Sequence, residues 1–197
     1  WVLLLVVAAY VLLRWCGGRS LVLGTFNIRT FPTKKTDHEA VARTIAELDA
    51  DAFAVQEIGD VAAFERVLAR ASELSGRRYA AVFGAYCRKR SGNLRMNIGV
   101  VYDAGRIERV GQREFGGETC PLGQPPGILA LLRDAGGSFG LVSVHLEAMD
   151  DAKAHTLRRR QWAWMVETLS ALTQELEAPI VIAGDFNSTG FLVPEHA

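Results

Sequence analysis

The sequence lacks an excess of charge of either sign and lacks paired cysteines. Lys plus Arg and Asp plus Glu each number 22 in 197 residues, so no global positive field draws the chain toward nucleic acid or anionic lipid. The three cysteines, Cys16, Cys87 and Cys120, are widely spaced and form no C-x-x-C pair. They indicate neither a disulfide framework nor a zinc site, and they leave the redox compartment open.

Long apolar runs are also scarce. The one long run, Trp1–Leu13, ends at Arg14 and falls short of the roughly 20 residues that span a bilayer. The chain begins with tryptophan rather than methionine, so we expect residues 1–20 to be the remnant of a membrane anchor and a short linker. A secretory signal and a buried core helix are the alternatives, although Arg14-Trp15 disfavours signal cleavage directly after the run. The protein is therefore expected to be membrane-anchored or exported.

The rest of the sequence has the composition of a globular domain. Its 49% hydrophobic content suffices for one substantial core, which predicts a single domain over residues 21–197. Short apolar runs alternate with segments of helical periodicity, so the expected fold class is α/β or layered α+β. Strands are predicted at 21–27, 52–57, 79–86, 97–102, 107–115, 128–132 and 139–147, and helices at 37–48, 60–76 and 151–177.

Two of the predicted helices carry specific local signals. Thr36 followed by Glu39 is typical of a capping box at the start of the first helix. In the last helix, Met165 and Leu169 recur at helical spacing and predict a buried face. The basic run Arg158–Arg160 is expected to lie at least partly on the opposite face.

The most informative stretch is 179–188, an apolar run that ends on a carboxylate and an amide. Its residues between Pro179 and Gly184 predict a strand buried on both faces. Asp185 and Asn187 are two positions apart, so in an extended backbone their side chains point to the same side. The alternative interpretation is a turn whose side chains bond their own backbone.

Other predicted strands also end on polar residues that catalysis uses. Strand ends of α/β scaffolds are where functional sites assemble, so these residues together predict one site. Oxygen ligands without a cysteine or a second histidine suit Mg²⁺ or Mn²⁺ better than zinc. The candidate residues are Asn27, Glu57, His145, Asp185 and Asn187.

Each candidate has an expected role in phosphate chemistry. Glu57 is the best metal ligand, with Asn27 beside it. Asp185 would orient or deprotonate an attacking water, and Asn187 would hold a phosphoryl oxygen. His145 would hydrogen-bond or protonate the phosphate or the leaving group. Taken singly, each residue also has a structural explanation, such as a turn former, an exposed strand end or a core histidine.

A basic loop, 87–95, lies between two predicted strands. It contains Arg88, Arg90 and Arg95, which are candidate contacts to a phosphate group of the substrate. The alternative is that these arginines form a solvated turn.

Four motifs in order resemble those of the endonuclease/exonuclease/phosphatase superfamily, which includes deoxyribonuclease I and exonuclease III. The resemblance covers roughly residues 21–188 and implies a four-layer α/β/β/α sandwich. It also implies hydrolysis of a phosphate ester that depends on a divalent metal. The motifs are Thr25-Phe26-Asn27-Ile28, Val55-Gln56-Glu57, Ser143-Val144-His145-Leu146 and Gly184-Asp185-Phe186-Asn187.

The sequence departs from the family pattern at two places. Gln124 stands where many members have an arginine before a proline pair, which weakens any prediction of an arginine clamp there. The family's downstream aspartate–histidine pair is not found, and His196 lacks the preceding aspartate. We therefore expect the C-terminal strands to be missing from this chain and residues 21–197 alone to be inactive.

The expected activity of the full-length protein is phosphodiester hydrolysis, with nucleic acid as the first substrate. A phosphatase or phospholipase C-type enzyme acting on a phospholipid or inositol phosphate headgroup is the alternative within the class. A non-catalytic binding module on the same fold is the alternative outside it. The N-terminal segment predicts contact with a membrane, and nothing in the sequence indicates a protein partner.

Overall fold

The structure, a computed structural model, describes residues 11–14, 20–84, 96–115, 127–149 and 151–187. These residues form two β-sheets and three α-helices. In chain order the elements are β1 Val11–Arg14, β2 Ser20–Phe31, α1 His38–Leu48, β3 Ala52–Ile58, α2 Val61–Ser75, β4 Tyr79–Gly84, β5 Asn97–Asp103, β6 Glu108–Phe115, β7 Gly127–Asp134, β8 Gly137–His145, α3 Ala152–Leu176 and β9 Ile180–Asp185.

The first sheet has the strand order β1-β2-β3-β5-β4. Only β2 and β3 are parallel in it, and α1 connects them as a crossover helix. One face of this sheet packs against α1 and α2 through a buried cluster that includes Ile45, Phe53, Phe64 and Val101. These two helices therefore form one outer layer.

The second sheet has the order β6-β7-β8-β9, and β8 and β9 are its parallel pair. Its outer face packs against α3, which contributes Met165, Leu169 and Leu172 to a cluster with Leu129 and Val142. The long helix that connects β8 to β9 is thus the other outer layer.

A third cluster fills the space between the two sheets. It includes Leu23 and Val100 from the first sheet, and Ile128 and Leu141 from the second. Alternate residues of β8 face this inner layer and the α3 layer, as a period of two requires. The predicted four-layer α/β/β/α sandwich is confirmed.

Helix boundaries agree closely with the sequence, with one correction at α1. The N-cap is Asp37, whose carboxylate accepts from the backbone N–H of Ala40, rather than Thr36. The Thr36 hydroxyl instead accepts from the backbone N–H of Thr33 in the preceding turn. Asp37 is the N-cap because aspartate caps a helix at least as well as threonine does, and because Asp37 directly precedes the first helical residue.

The prediction that Arg158–Arg160 lie at least partly on the exposed face of α3 agrees with the structure, although Arg158 itself is buried. The residue is 8% exposed, and its guanidinium donates to the carbonyl oxygens of Glu147 and Met149 in the segment after β8. Its two neighbours, Arg159 and Arg160, are exposed as expected. A planar guanidinium with five N–H donors can be buried when carbonyl groups accept from it, which a charge pattern does not reveal.

The interpretation of β9 as a strand is confirmed, but its burial on both faces is not. All six of its residues are half-buried, because β9 is the last strand of the second sheet within the described residues. A continuous apolar run predicts burial on both faces, but the last strand of the described sheet has a neighbour on one side only.

The predicted anchor overlaps the described residues only at its end. Val11–Arg14 pairs antiparallel with Ser20–Leu23, so these four residues belong to the first sheet. The rest of the predicted anchor, residues 1–10 and 15–19, lies outside the described residues. In the described part of the chain, no helix combines the length and the apolar character needed to cross a membrane.

Candidate active site

The candidate site lies at the carboxyl ends of the two parallel strand pairs, one in each sheet. Asn27 belongs to β2 and Glu57 to β3, and His145 and Asp185 are the last residues of β8 and β9. In the register of the second sheet, His145 stands directly opposite Asp185. The structure therefore brings four of the five predicted strand-end residues to one edge of the sandwich.

Three of these side chains reach the site by strand alternation. Asn27, His145 and Asp185 have the same parity along their strands as Leu23, Leu141 and Val181, which pack between the sheets. Their side chains are thus the outermost members of the inter-sheet layer. The site is the polar end of that layer.

Glu57 reaches the same place by a break in alternation. Phe53 and Val55, which share its parity in β3, pack toward the helices. Glu57 has a φ of 65°, in the left-handed region, and the pairing of β3 with β5 shifts register between Val55 and Ile58. This conformation is costly for a residue with a side chain and is typical of functional sites.

The Asn27 side-chain amide joins the two sheets. Its Nδ2 donates to Oε1 of Glu57 at 3.1 Å and to Oδ2 of Asp185 at 2.8 Å. Its oxygen accepts from the backbone N–H of Arg29 at 2.8 Å, which fixes the direction of the amide. One nitrogen therefore holds two carboxylates from opposite sheets close together.

His145 lies against the same two carboxylates. Its Nε2 is 3.9 Å from Oε1 of Glu57 and 3.9 Å from Oδ2 of Asp185, and the residue is 7% exposed. These separations exceed hydrogen-bond length, so the three groups interact as nearby charges and dipoles. The arrangement concentrates acidic oxygens around one imidazole nitrogen.

Thr30 holds the other oxygen of Glu57 and was not foreseen from the sequence. Its backbone N–H and its hydroxyl both donate to Oε2, at 2.8 and 3.1 Å. Arg29 and Thr30 have positive φ angles, and the pairing of β2 with β3 shifts between Asn27 and Phe31. The only signal for Thr30 in the sequence is that it is a polar residue three positions after Asn27. This signal is weak, because the sequence does not show the register shift that turns Thr30 toward Glu57.

The Asp185–Asn187 segment is not extended. Asn187 has a φ of 47°, and its backbone N–H donates to Oδ1 of Asp185 at 2.9 Å. Its side-chain amide donates to the carbonyl oxygen of Leu146 at 2.9 Å. The expected parallel arrangement of the two side chains is therefore replaced by a turn, while Asp185 still faces the site through its other oxygen.

Gly184 permits the close approach of β9 to β8. Its φ is 152°, and a Cβ at this position would overlap the Val144 carbonyl group. No side chain larger than hydrogen fits there without moving the strand that carries Asp185.

The donor set suits a hard divalent cation. Mg²⁺ is commonly held by one or two carboxylates together with water and substrate phosphate, and Glu57 and Asp185 provide such carboxylates here. Across the described ranges, no group of three His, Cys, Asp or Glu side chains is arranged to hold a metal ion. Arg88, Arg90 and Arg95, the predicted phosphate contacts, lie outside the described residues, as does Gln124.

Solved structures with the same fold include a phosphatase, a catalytic domain with bound sulfate and a protein bound to a DNA product. The human Nocturnin catalytic domain with bound sulfate aligns with a TM-score of 0.64 at 18% identity, over 92% of this chain and 68% of that one. A mannosyl-6-phosphatase of Bacteroides thetaiotaomicron aligns at 0.62 and 17%, over 85% and 66% of the two chains. D. rerio TDP2 complexed with a single-strand DNA product aligns at 0.57 and 15%, over 85% and 60%. The chain thus spans 60–68% of the length of these structures.

Sequence comparison gives the family directly. No curated protein sequence matches the chain at a significant level. The sequence model of the Endonuclease/Exonuclease/phosphatase family matches residues 24–193. Because this match includes all four motifs at the strand ends, the chain belongs to the endonuclease/exonuclease/phosphatase family.

Proposed function

We propose that the full-length protein is a divalent-metal-dependent phosphodiester hydrolase with nucleic acid as its substrate. The observation that carries the proposal is the amide of Asn27, which holds Glu57 and Asp185 together beside Nε2 of His145. Two carboxylates kept close to each other repel, so the pair is stabilised by a cation or by a positively charged imidazole. A cation held by the two carboxylates could also bind a non-bridging oxygen of a phosphate ester.

Glu57 would be a ligand of Mg²⁺ or Mn²⁺, and an oxygen of the substrate phosphate would be another ligand of the same ion. The ion would offset the negative charge that develops as the phosphorus–oxygen bond breaks. The two donors of Thr30 keep the Glu57 carboxylate oriented. As arranged, Asn27 contacts the carboxylates through its nitrogen, so its proposed role is to position Glu57 and Asp185 beside the ion.

Asp185, His145 and Asn187 act on the substrate in the proposed mechanism. Asp185 orients the attacking water and accepts its proton, and its carboxylate is held by Asn27 on one oxygen and by the Asn187 backbone on the other. Nε2 of His145 donates to the phosphate or to the leaving oxygen. An amide group has two N–H donors, so Asn187 can contact a phosphoryl oxygen while it donates to Leu146.

Nucleic acid is the first substrate to test because D. rerio TDP2, which has the same fold, is complexed with a single-strand DNA product. A phospholipid or inositol phosphate headgroup is the competing substrate, and the predicted membrane anchor favours it. The neutral total charge favours neither, since a phosphate-binding surface can be local.

The test is hydrolysis by the purified full-length protein of plasmid DNA, RNA, sphingomyelin and inositol phosphates, assayed side by side. We expect cleavage of a nucleic acid that requires Mg²⁺ or Mn²⁺ and that a chelator abolishes. Glu57→Ala and Asp185→Asn are expected to lower turnover by at least about a hundredfold, as loss of a central catalytic group commonly does.

Glu65→Ala is the matched control, because Glu65 is an exposed glutamate of α2. It is expected to keep wild-type turnover. Turnover that resists the chelator would contradict the metal mechanism. Cleavage of sphingomyelin or inositol phosphates alone would replace nucleic acid as the substrate, and no turnover of any ester would favour a non-catalytic binding module.

A further inference from the structure

A chain of three polar side chains, two of them fully buried, lies directly beneath the site. The Thr25 hydroxyl donates to the Gln56 side-chain oxygen at 3.3 Å, and the Gln56 amide donates to the Ser143 hydroxyl at 3.2 Å. The Ser143 hydroxyl donates in turn to the carbonyl oxygen of Val55 at 3.1 Å. We call Thr25, Gln56 and Ser143 the inter-sheet relay.

The relay connects the two sheets in a part of the molecule that water does not reach. Gln56 and Ser143 are both 0% exposed, and they belong to β3 and β8, which lie in opposite sheets. Around them the sheets contact each other through aliphatic residues such as Val100 and Leu141. Aliphatic contacts are not directional and tolerate sliding, whereas a buried hydrogen bond between fixed positions does not.

Each member of the relay is adjacent to a residue of the site. Thr25 precedes Asn27 by two positions and Ser143 precedes His145 by two, so each has the same orientation as the site residue above it. Gln56 is the residue before Glu57. A shift of one sheet over the other by a fraction of a residue would change the separations of His145 and Asp185 from Glu57 and Asn27.

We propose that the inter-sheet relay is a positioning device that sets the distance between His145 and Glu57. Gln56 and Ser143 touch neither substrate nor metal in this role. They fix the register of the two sheets, and the sheets carry the reacting groups. The effect on turnover rests on the proposed function, whereas the effect on the position of His145 does not.

Two variants remove the central hydrogen bond from either side. Ser143→Ala deletes the hydroxyl, and Gln56→Met keeps the length of the side chain without its amide. Misplacement of a catalytic group by a fraction of an ångström lowers kcat more than KM, and we expect a loss in kcat of about tenfold with KM changed by less than about twofold. Both variants remove the bond between Gln56 and Ser143, so the loss in kcat of the double variant should be smaller than the product of the two single losses.

Ser72→Ala is the matched control for stability. The Ser72 hydroxyl donates to the Leu68 carbonyl and accepts from the Tyr79 backbone, so its loss also removes hydrogen bonds from a partly buried serine. This serine joins α2 to β4 within one half of the sandwich. Ser72→Ala is therefore expected to lower the midpoint of urea unfolding but to leave kcat unchanged.

The closing experiment follows the full-length protein by two measurements. The first is kcat and KM for bis(4-nitrophenyl) phosphate with Mg²⁺, and the second is the NMR signals of the His145 ring in the absence of substrate. The proposal predicts changed ring signals in Ser143→Ala and Gln56→Met and unchanged signals in Ser72→Ala. Ser143→Ala with Ser72→Ala suffices if Gln56→Met does not fold.

The two measurements separate the possible failures. A wild-type protein without turnover contradicts the proposed function, and the His145 signals then still test the relay. Ring signals that are the same in Ser143→Ala as in the wild type overturn the positioning role. So does a Ser143→Ala variant that loses stability with wild-type kcat, because the relay would then be a structural contact only.

Discussion

Single side chains of the site are held by donors from the irregular end of β2. Thr30 illustrates this, because both of its donors contact one oxygen of Glu57. Thr30→Val removes the hydroxyl and leaves the backbone N–H, the β-branched shape and the positive φ unchanged. A hydrogen bond to a charged group contributes about 1.5–3 kcal/mol, so we expect activity to fall by roughly ten- to a hundredfold, less than in Glu57→Ala. The measurement is kcat/KM over a titration of Mg²⁺.

The control for Thr30→Val is the same substitution at Thr44. That hydroxyl donates to the Ala40 carbonyl in an exposed hydrogen bond within α1. Thr44→Val should keep wild-type kcat/KM at every Mg²⁺ concentration. A Thr30→Val variant with the same activity as Thr44→Val would show that the backbone N–H alone orients Glu57.

The clustering of the candidate residues could be predicted, but the conformations that orient them could not. Asn27, His145 and Asp185 follow from polar residues at the ends of apolar strands, because alternation fixes where they point. Glu57 and Asn187 both have positive φ angles, and their sequence neighbours do not require them. Such conformations persist only because the surrounding structure holds them, so a local pattern cannot reveal them.

At the scale of the elements, β9 depends on its one glycine. Gly184→Ala would place a Cβ against the Val144 carbonyl at a φ that side chains rarely adopt. We expect a loss of at least about 2 kcal/mol in the free energy of unfolding, in the range of strained or overpacked substitutions. We also expect activity to fall in the folded fraction, because Asp185 follows directly. Urea unfolding and turnover at low temperature measure the two effects.

Gly136→Ala separates strain at the site from the general cost of replacing a glycine. Gly136 lies in the turn between β7 and β8, where its backbone N–H donates to Asp134. This turn is at the opposite end of β8 from His145. Gly136→Ala is expected to keep wild-type turnover. If Gly184→Ala had the same turnover as Gly136→Ala, β9 would tolerate a side chain at residue 184.

The buried guanidinium of Arg158 ties α3 to the segment that follows β8. Arg158→Gln removes the hydrogen bonds that the buried guanidinium donates to the Glu147 and Met149 carbonyls. A hydrogen bond that involves a charged group contributes about 1.5–3 kcal/mol. We expect the free energy of unfolding to fall by about 2–4 kcal/mol. Arg160→Gln, an exposed arginine on the same helix, should change it by less than about 0.5 kcal/mol. Equal effects in urea unfolding would contradict the assignment of Arg158 to the core.

The comparison of predicted with observed elements separates local from tertiary causes. All three helices and the strands from β2 to β9 follow from periodicity and caps, so their order could be read from the sequence. The strand β1 was not predicted, because its residues belong to the apolar run that we expected to be an anchor remnant. The sequence predicts Thr36 as the N-cap and the structure has Asp37. Both residue types are good caps, so the sequence alone could not decide between them. The burial of Arg158 and the exposure of β9 depend on neighbours in space that no local pattern contains.

In the whole molecule, the site occupies one end of the sandwich and an ionic cluster occupies the other. Arg77 contacts the carboxylates of Asp49, Asp51 and Asp103, and Arg106 also pairs with Asp51. These residues lie where α1 and β5 end and where β3 and β4 begin. The composition gives a net charge of zero and cannot show that an ionic cluster and the candidate site lie at opposite ends of the sandwich.

The ionic cluster makes the stability of the whole fold depend on pH through Asp103. Burial tends to raise the pKa of Asp103, but N–H donors from Gly105 and Arg78 and the Arg77 guanidinium outweigh it and lower the pKa below its usual value. A carboxylate with a lowered pKa in the folded state stabilises the fold above its pKa in the unfolded chain, about 3.9. That stabilisation is lost as the pH falls through the lower pKa of the folded state.

Asp103→Asn tests this linkage because it removes the charge and keeps the size. We expect the variant to be less stable than the wild type at pH 7, with a difference that shrinks as the pH falls below about 4. The measurement is the free energy of urea unfolding at pH 7, 4 and 3. A difference that stayed constant over this range would mean that the hydrogen-bond geometry of Asp103, and not its charge, stabilises the fold. A shrinking difference would assign part of the acid sensitivity of the fold to the end of the sandwich opposite the candidate active site.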